Sequence, residues 1–259
     1  MSEKLIVVSN RIPTGAAPSG GLVVALHDAL AEHQGIWIGA HPDRDDDTGV
    51  PLIEVGTDPY TRLGFRISDE EYETYYLGFA NSVLWPICHR RGDLVELSRE
   101  SEEGYHAVNA RLARQIADLA GPDDLIWVHD YHFFPLALEL RRLGVSARIG
   151  FFLHIPFPAL GDLGALSERA DMPGWLAAYD LVGLQTRADV ARCLELFRAT
   201  EGAEMLLNGK IKLRERTVAV RSFPIGIDVE GFAAAAREPL APGTLGADMA
   251  GDILIGGGR

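Results

Sequence analysis

Residues 151–158 read FFLHIPFP, an apolar run that ends in His154 and is then broken by two prolines. A run so rich in large apolar side chains is typical of a strand that is buried on both faces of a parallel sheet. A similar run, LIWVHD, occupies residues 125–130 and also ends in polar side chains. Because the carboxyl ends of parallel strands meet at one edge of a sheet, the two polar ends predict a shared ligand crevice.

Strands and helices alternate on both sides of these two runs. The pattern predicts strands at 5–10, 35–40, 61–67, 125–129, 148–154, 181–185 and 218–225, and helices at 22–33, from 68 onward, 102–119, 134–143, 161–179, 187–199 and 229–237. A βαβ series of this kind favours an α/β fold with a doubly wound, mainly parallel sheet. We assign residues 1–240 to this domain. Residues 241–259 then read as a linker and the first strand of a second domain, which the chain does not continue.

The acidic composition of the chain argues against negatively charged macromolecules and membranes as binding partners. Of the 259 residues, 24 are Lys or Arg and 37 are Asp or Glu, which gives a net charge of −13 with no basic stripe to offset it. We therefore expect neither a nucleic acid nor an anionic membrane as partner. The sequence has no signal peptide and no run of membrane-spanning length, which predicts a cytoplasmic protein. Cys88 and Cys193 are expected to be reduced core thiols.

Several residues at the predicted strand ends could bind a ligand, and each has a structural alternative. Gly20 and Gly21 would let a backbone approach a phosphate, although a bare loop glycine pair explains them as well. Arg11 could hold a phosphate through two hydrogen bonds, whereas a surface arginine is the simpler interpretation. Asp130 and His132 would share one face of an extended segment and could hold sugar hydroxyls.

Other side chains favour structural roles. His129 would lie inside the sheet edge and be hydrogen-bonded. Asp130 and His132 could also ligate a metal, but no third ligand has the spacing that a metal site needs. Trp85 precedes Pro86 at the predicted end of a helix, where an exposed ring could stack on a sugar, although packing is the more common use of tryptophan. No nucleophile elbow is present. An aromatic stripe at helical spacing is expected to lie mostly in the core: Tyr72, Tyr75, Tyr76 and Phe79.

Taken together, these residues resemble the trehalose-6-phosphate synthase family, retaining glycosyltransferases of the GT-B fold. The matching stretches include VVSNRIP at 7–13, YYLGFANSVLWP at 75–86, WVHDYHFFPLALELR at 127–141 and RIGFFLHIPFP at 148–158. The resemblance implies transfer of glucose from UDP-glucose to glucose 6-phosphate with release of UDP, without a cofactor or metal. It also implies a Rossmann-like N-terminal domain that carries mainly the acceptor site.

On the acceptor side, the resemblance implies roles for four residues. Arg11 would bind the acceptor phosphate, Tyr76 and Trp85 would line the acceptor pocket, and Asp130 would bind acceptor hydroxyls and take part in catalysis.

On the donor side, Gly20 and Gly21 would lie beside the diphosphate, Arg259 would bind it, and His154 would position the transferred sugar as the second catalytic residue. Retention in this family is thought to proceed by front-face attack, in which the leaving diphosphate helps to deprotonate the acceptor. No protein nucleophile is then required, and catalysis rests on positioning and on neutralising the developing charge.

Two departures from the family pattern widen the range of functions that the sequence allows. Ala40 stands where members often have a second tryptophan, so a glucosylglycerol-phosphate synthase, which takes glycerol 3-phosphate, is the alternative enzyme. The donor-domain residues of the family would lie beyond Arg259, which predicts little or no transferase activity for this chain alone. The sequence is also compatible with a non-catalytic sugar-phosphate-binding module and with a truncated gene product. The nucleotide and the oligomeric state, including a homo-oligomer, stay open.

Overall fold

The computed structural model describes residues 4–13, 21–33, 35–167, 171–226 and 229–237. Ten strands form its sheet: β1 Leu5–Arg11, β2 Ile36–Ala40, β3 Ile53–Gly56, β4 Thr61–Phe65, β5 Leu125–His129, β6 Arg148–Phe152, β7 Leu181–Leu184, β8 Ala203–Met205, β9 Lys210–Leu213 and β10 Arg216–Ser222. The helices are α1 Gly21–Glu32, α2 Asp69–Glu71, the π-helix Tyr72–Leu84, α3 Trp85–Cys88, α4 Arg99–Ala117, α5 Leu136–Arg142, α6 Leu160–Leu163, α7 Met172–Ala177, α8 Arg187–Ala199 and α9 Val229–Ala235.

The strands are arranged in the order β3-β4-β2-β1-β5-β6-β7-β10-β9-β8. The run from β4 to β10 is parallel throughout, while β3 at one edge and β9 and β8 at the other are antiparallel to their neighbours. The predicted mainly parallel α/β sheet is therefore confirmed. From β1 the chain proceeds to β2 on one side and later to β5 on the other, which makes the boundary between β1 and β5 the topological switch point.

Both faces of the sheet are covered, as expected for a doubly wound fold. Along β1, Val7 packs with Leu26 and Leu30 of α1 and with Trp37. Its neighbours Ile6 and Val8 belong to the larger core on the opposite face, which includes residues of the π-helix, α4 and α5. The alternation follows from the two-residue period of a strand, which turns successive side chains to opposite faces.

The helix predicted from residue 68 onward begins after β4 with a capping box. Ser68 Oγ accepts a hydrogen bond from the Glu71 backbone N–H at 3.1 Å, and Glu71 Oε2 accepts one from the Ser68 N–H at 3.2 Å. The sequence did not predict that the helix widens into a π-helix from Tyr72 to Leu84, after which the Trp85 N–H bonds to the Ala80 carbonyl five residues back. Long π-helices are rare and frequently mark functional sites.

Several predicted bounds need correction. The strand expected to reach His154 ends at Phe152, because the His154 N–H donates to the Asp130 carboxylate at 3.3 Å instead of to a neighbouring strand. The helical stretch expected at 161–179 contains two short helices, Leu160–Leu163 and Met172–Ala177. The antiparallel edge strands β3, β8 and β9 were not predicted, since each is only three or four residues long and too short for a periodic pattern to be distinctive.

The chain divides into two compact units, Met1–Pro224 and Ile225–Arg259. In the second unit the structure describes α9 as its one helix. The domain boundary predicted at residue 240 and the strand predicted beyond it fall outside the described residues and stay predictions. Cys88 and Cys193 are free and buried, as predicted. Over the described part of the chain, no helix combines the length and the apolar character needed to cross a membrane.

Candidate functional site

The polar strand ends predicted to share a crevice do lie together at the switch point of the sheet. Arg11 is the last residue of β1, His129 is the last residue of β5, and His154 lies two residues beyond β6. His129 Nδ1 is 3.0 Å from His154 Nε2, which joins the ends of β5 and β6 directly. Crevices at the carboxyl ends of parallel strands are where open α/β sheets bind their ligands.

Asp130 turns sharply out of β5, with φ of 74° and ψ of 167°. A non-glycine residue rarely adopts a positive φ, and such strain of about 1–3 kcal/mol persists where the surrounding structure enforces it. Here the Asp130 N–H bonds to the Phe152 carbonyl at 2.8 Å, and its carboxylate accepts from the His154 N–H. Burial raises the pKa of Asp130 to about 6, although hydrogen bonds from the His154 and Tyr131 N–H groups oppose the rise.

The prediction that Asp130 and His132 share one face of an extended segment is wrong. Tyr131–Phe133 forms a 3₁₀ turn, which directs the His132 side chain into a stack between Tyr76, 5.6 Å away at 9°, and Tyr131, 4.1 Å away at 29°. Neither ring nitrogen of His132 has a hydrogen-bond partner among the described residues. Burial and the nearby Arg11 charge lower the pKa of His132 to about 3, so the ring is neutral at physiological pH.

The histidine pair at the ends of β5 and β6 is also uncharged. His129 is 1% exposed and hydrogen-bonded, as expected for a residue inside the sheet edge. Burial lowers the pKa of His129 to about 3, with a further contribution from His154, and burial lowers the pKa of His154 to about 4. At neutral pH each ring therefore carries one proton, and one of the two facing nitrogens donates to the other.

Two adjoining cavities open at these strand ends and share Asn10, Arg11 and Tyr76. The inner one, of about 280 Å³, is also lined by Ser9, Trp37, His129, Asp130 and His132. The outer one, of about 350 Å³, is also lined by Ile12, Ala40, His41, Pro42, Arg44, Ile67 and Tyr72. The structure thus brings together Arg11, Tyr76 and Asp130, three of the residues predicted for an acceptor site.

The aromatic stripe divides between core and cavity. Tyr75 and Phe79 are fully buried, as predicted, and the Tyr75 hydroxyl holds Asn10 Oδ1 at 3.1 Å. Tyr72 and Tyr76 are half-buried and line the outer cavity, with their rings stacked at 5.1 Å. The Tyr76 hydroxyl lies 3.5 Å from Arg11 Nη2, so the wall of the cavity presents a phenol beside a guanidinium.

Trp85 does not mark the end of its helix, because α3 continues through it to Cys88. Its ring is 39% exposed and stacks on His89 at a centroid distance of 3.9 Å. It is not among the described residues that line the two cavities.

The residues predicted for the donor side are only partly described. Gly21 is the first residue of α1, the helix that follows β1, whereas Gly20 and Arg259 lie outside the described residues. His154 is the one donor-side residue whose side-chain environment is defined. Across the described ranges, no group of three or more His, Cys, Asp or Glu side chains is arranged to hold a metal ion.

Sequence reasoning missed three polar residues of the outer cavity, Asn10, His41 and Arg44. Arg44 lies in the stretch Asp43–Asp47, whose acidic composition is typical of a solvated loop. Its position just after the carboxyl end of β2 was the signal that could have identified it, since β2 neighbours the switch-point strand β1.

Comparisons with known proteins agree with this geometry. The model of glycosyltransferase family 20 matches residues 5–242. A trehalose-6-phosphate synthase from Sodalis glossinidius is 40% identical over 243 residues, which cover 93% of this chain and 52% of that protein. A structure from E. coli bound with UDP-2-fluoro glucose matches with a TM-score of 0.84 and 38% identity, covering 93% of this chain and 52% of that one.

A further solved structure is described as an α,α-trehalose-phosphate synthase (UDP-forming) from Burkholderia xenovorans in complex with glucose-6-phosphate. It matches with a TM-score of 0.79 and 38% identity, covering 90% of this chain and 52% of that one. The chain thus spans about half the length of the relatives it matches.

Proposed function

Because this chain belongs to glycosyltransferase family 20, we propose that it forms the acceptor-side half of a retaining hexosyltransferase. The proposed reaction moves glucose from UDP-glucose to glucose 6-phosphate, forming trehalose 6-phosphate and releasing UDP. The observation that carries the proposal is the pair of adjoining cavities at the switch point, where Arg11, Tyr76 and Asp130 meet. A relative named as a UDP-forming synthase has been solved with glucose-6-phosphate, which supports this choice of acceptor.

In the proposed acceptor complex, Arg11 binds the phosphate and Asp130 binds sugar hydroxyls. The Arg11 guanidinium is exposed, and its one hydrogen bond within the described residues is the 3.5 Å contact with Tyr76 Oη, so most of its donors are available. A pKa of about 6 leaves the Asp130 carboxylate largely ionised at neutral pH and able to accept from a hydroxyl. Trp85 is proposed as the aromatic side chain at the rim of the acceptor site.

His154 is proposed to position the transferred sugar rather than to act as a general base. A pKa of about 4 makes the imidazole a poor proton acceptor at neutral pH, yet a neutral ring still donates or accepts one directed hydrogen bond. The proton of the attacking hydroxyl would then go to the leaving diphosphate, as the bond from the anomeric carbon to the diphosphate oxygen breaks. Gly20 and Gly21 are proposed to lie beside that diphosphate, and Arg259 is proposed to bind it and to neutralise part of its charge.

The proposal includes the domain division predicted from the sequence, with the acceptor-side domain at 1–240 and the start of a donor-side domain at 241–259. It also includes a cytoplasmic location and small molecules as the only substrates.

Ala40 on the wall of the outer cavity keeps a second acceptor in consideration. A small side chain there leaves the cavity open and itself offers no aromatic surface on which a hexose ring could stack, unlike a tryptophan at this position. A glucosylglycerol-phosphate synthase, which takes glycerol 3-phosphate, is therefore the alternative enzyme, and a non-catalytic sugar-phosphate-binding module is the alternative from a different class.

Calorimetric titration of the purified chain tests the acceptor site. We expect saturable binding of glucose 6-phosphate, weaker binding of glucose, and loss of phosphate-dependent binding in Arg11→Ala. Arg91→Ala is the matched control, because Arg91 is exposed and paired with Asp93 at 2.7 Å away from both cavities. Equal binding of glucose and glucose 6-phosphate would contradict the proposal, and tighter binding of glycerol 3-phosphate would favour the alternative enzyme. The chain alone is expected to release little or no UDP from UDP-glucose and glucose 6-phosphate, and robust release would refute the proposal that it is only the acceptor-side half.

A further inference from the structure

The loop that follows β2 is fixed in place by the backbone of the neighbouring strand. The His41 N–H bonds to the Phe65 carbonyl at 2.8 Å, and the Asp45 N–H bonds to the Ile67 carbonyl at 3.1 Å. These bonds continue the pairing of β2 with β4 beyond the ends of both strands. Arg44 is therefore carried to the outer cavity by an ordered backbone rather than by a free loop.

The Arg44 side chain is oriented by the π-helix. Its guanidinium carbon lies 4.4 Å from the centre of the Tyr72 ring, and its Nη1 lies 2.9 Å from Asp69 Oδ1. Tyr72 in turn stacks on Tyr76, and Tyr76 stacks on His132. The guanidinium is thus the outer end of a stack of rings that lines one wall of the cavity, and a cation is favoured over the face of an aromatic ring.

The acidic residues around Arg44 do not consume its hydrogen-bonding capacity. Asp45 and Asp47 are directed to Arg66, at 3.1 and 3.8 Å. Asp69 engages one nitrogen of Arg44, and no second polar partner of that guanidinium is found in the part of the chain that the structure describes. Five N–H donors belong to a guanidinium, so the remaining ones are available to a ligand.

Arg44 and Arg11 line the same cavity of about 350 Å³, to which Ala40 contributes only a methyl group. We propose that Arg44 is a second arginine of the acceptor-phosphate subsite and selects acceptors that carry a phosphate monoester. The inference rests on the proposed function and deepens it, because it assigns the specificity for charge to a residue outside the family resemblance. Two guanidinium groups can share a phosphate dianion, each through charge-assisted hydrogen bonds.

The test compares Arg44→Gln with the wild-type chain by calorimetric titration of glucose 6-phosphate, glucose and inorganic phosphate. We expect Arg44→Gln to weaken glucose 6-phosphate binding about 10- to 100-fold, the range for one charge-assisted interaction, and to leave glucose binding within about 2-fold. Arg44→Lys should recover part of the loss. Arg91→Gln, the exposed ion-paired control, should bind all three ligands as the wild type does.

The outcomes separate this inference from the proposed function. Unchanged glucose 6-phosphate binding in Arg44→Gln, together with a loss in Arg11→Ala, would overturn the role of Arg44 and leave the acceptor site standing. An equal loss of glucose and glucose 6-phosphate binding in Arg44→Gln would also overturn it, because the effect would not follow the phosphate. The wild type could also bind inorganic phosphate in an Arg44-dependent manner but no sugar phosphate. That result would contradict the proposed sugar-phosphate acceptor and the selection of acceptors by Arg44, and it would support only an anion-binding site.

Discussion

The imidazole of His129 and that of His154 face each other with Nδ1 and Nε2 only 3.0 Å apart, at the point where β5 and β6 end. His129 Nε2, on the far side of its ring, is buried and has no hydrogen-bond partner among the described residues. Orphaned buried N–H groups are rarer than acceptors that lack a donor. The proton of His129 is therefore expected on Nδ1, from which it donates to His154, and the proton of His154 is expected on its own Nδ1.

This assignment can be checked by nitrogen-15 correlation spectroscopy of the histidine rings. We expect the Nδ1–H tautomer for both residues in the wild type. His129→Phe removes the donor, so His154 should lose its single tautomer and show a mixture. The exposed His33→Phe serves as the control and should leave the His154 signals unchanged. A wild-type His154 that carries its proton on Nε2 would contradict the assignment.

The lowered pKa of His132 predicts a specific dependence of stability on pH. Its folded-state pKa is about 3 and the ordinary value is 6.5, so between these values the unfolded chain binds more protons than the folded chain. The stability is complete above pH 6.5 and is lost as the pH falls toward 3, by about 1.4 kcal/mol per pH unit for one histidine. His132→Phe keeps a ring between Tyr76 and Tyr131 and removes this contribution.

Urea unfolding at several pH values between 6 and 4, followed by tryptophan fluorescence, measures that slope. We expect the free energy of unfolding of His132→Phe to fall less steeply with decreasing pH than that of the wild type, by about 1.4 kcal/mol per unit. His33→Phe should retain the wild-type slope. Identical slopes for His132→Phe and the wild type would show that His132 becomes protonated without unfolding the chain.

Asp130 has the opposite pH dependence, because burial raises its pKa to about 6 from an ordinary value of 3.8. The folded chain then binds more protons than the unfolded chain between these values, so the ionised carboxylate lowers stability above pH 6 and has no such effect below pH 4. Asp130→Asn is expected to be more stable than the wild type at pH 8, by at most about 3 kcal/mol, and nearly equal to it at pH 4.

The same urea experiment at the two pH values tests this difference, with the exposed Asp93→Asn as control. A residue that lowers stability while it is ionised is typical of a ligand site. Asp130→Asn should therefore gain stability and lose acceptor affinity together. A variant that is less stable at pH 8 would show that the hydrogen bond from His154 outweighs the cost of burial.

A short relay of hydrogen bonds fixes the backbone of Arg11. Trp37 Nε1 donates to Ser9 Oγ at 2.7 Å, and the Ser9 hydroxyl donates to the Arg11 carbonyl at 2.7 Å. Ser9→Ala leaves the buried indole N–H unpaired, which we expect to cost about 1–3 kcal/mol of unfolding free energy. In a Trp37→Phe background the same change should cost about 1 kcal/mol less. A double-mutant cycle measures this coupling, and strictly additive effects would exclude it.

The sequence predicted the strands of the parallel sheet well, because buried parallel strands are nearly continuous apolar runs. The runs at 125–129 and 181–184 and the helix at 187–199 are the clearest cases. Strand periodicity could not reveal the positive φ of Asp130, because the Phe152 carbonyl and the His154 N–H that hold it come from a distant part of the chain. The His132 stack was missed for the same reason.

For the site residues, the sequence predicted the position at the edge of the sheet better than the contacts that each side chain makes. Arg11, Tyr76 and Asp130 could be placed at one edge of the sheet from strand order and family resemblance, and the cavities include all three. The position of Arg44 after β2 could have placed it at the same edge but not in the cavity, because the pairing of its loop with Phe65–Ile67 and the stack on Tyr72 bring it there. Both are tertiary contacts that leave no local pattern in an acidic stretch.

The π-helix makes the cavity wall sensitive to chain length. The backbone N–H of Trp85 bonds to the carbonyl of Ala80, five residues back, and a π-helical turn of this kind takes up more residues than an α-helical turn. Removing one residue between Tyr72 and Leu84 would let the segment tighten and would rotate every later side chain, Trp85 included, around the helix axis. We expect this segment to accept substitutions during evolution but to keep a constant number of residues.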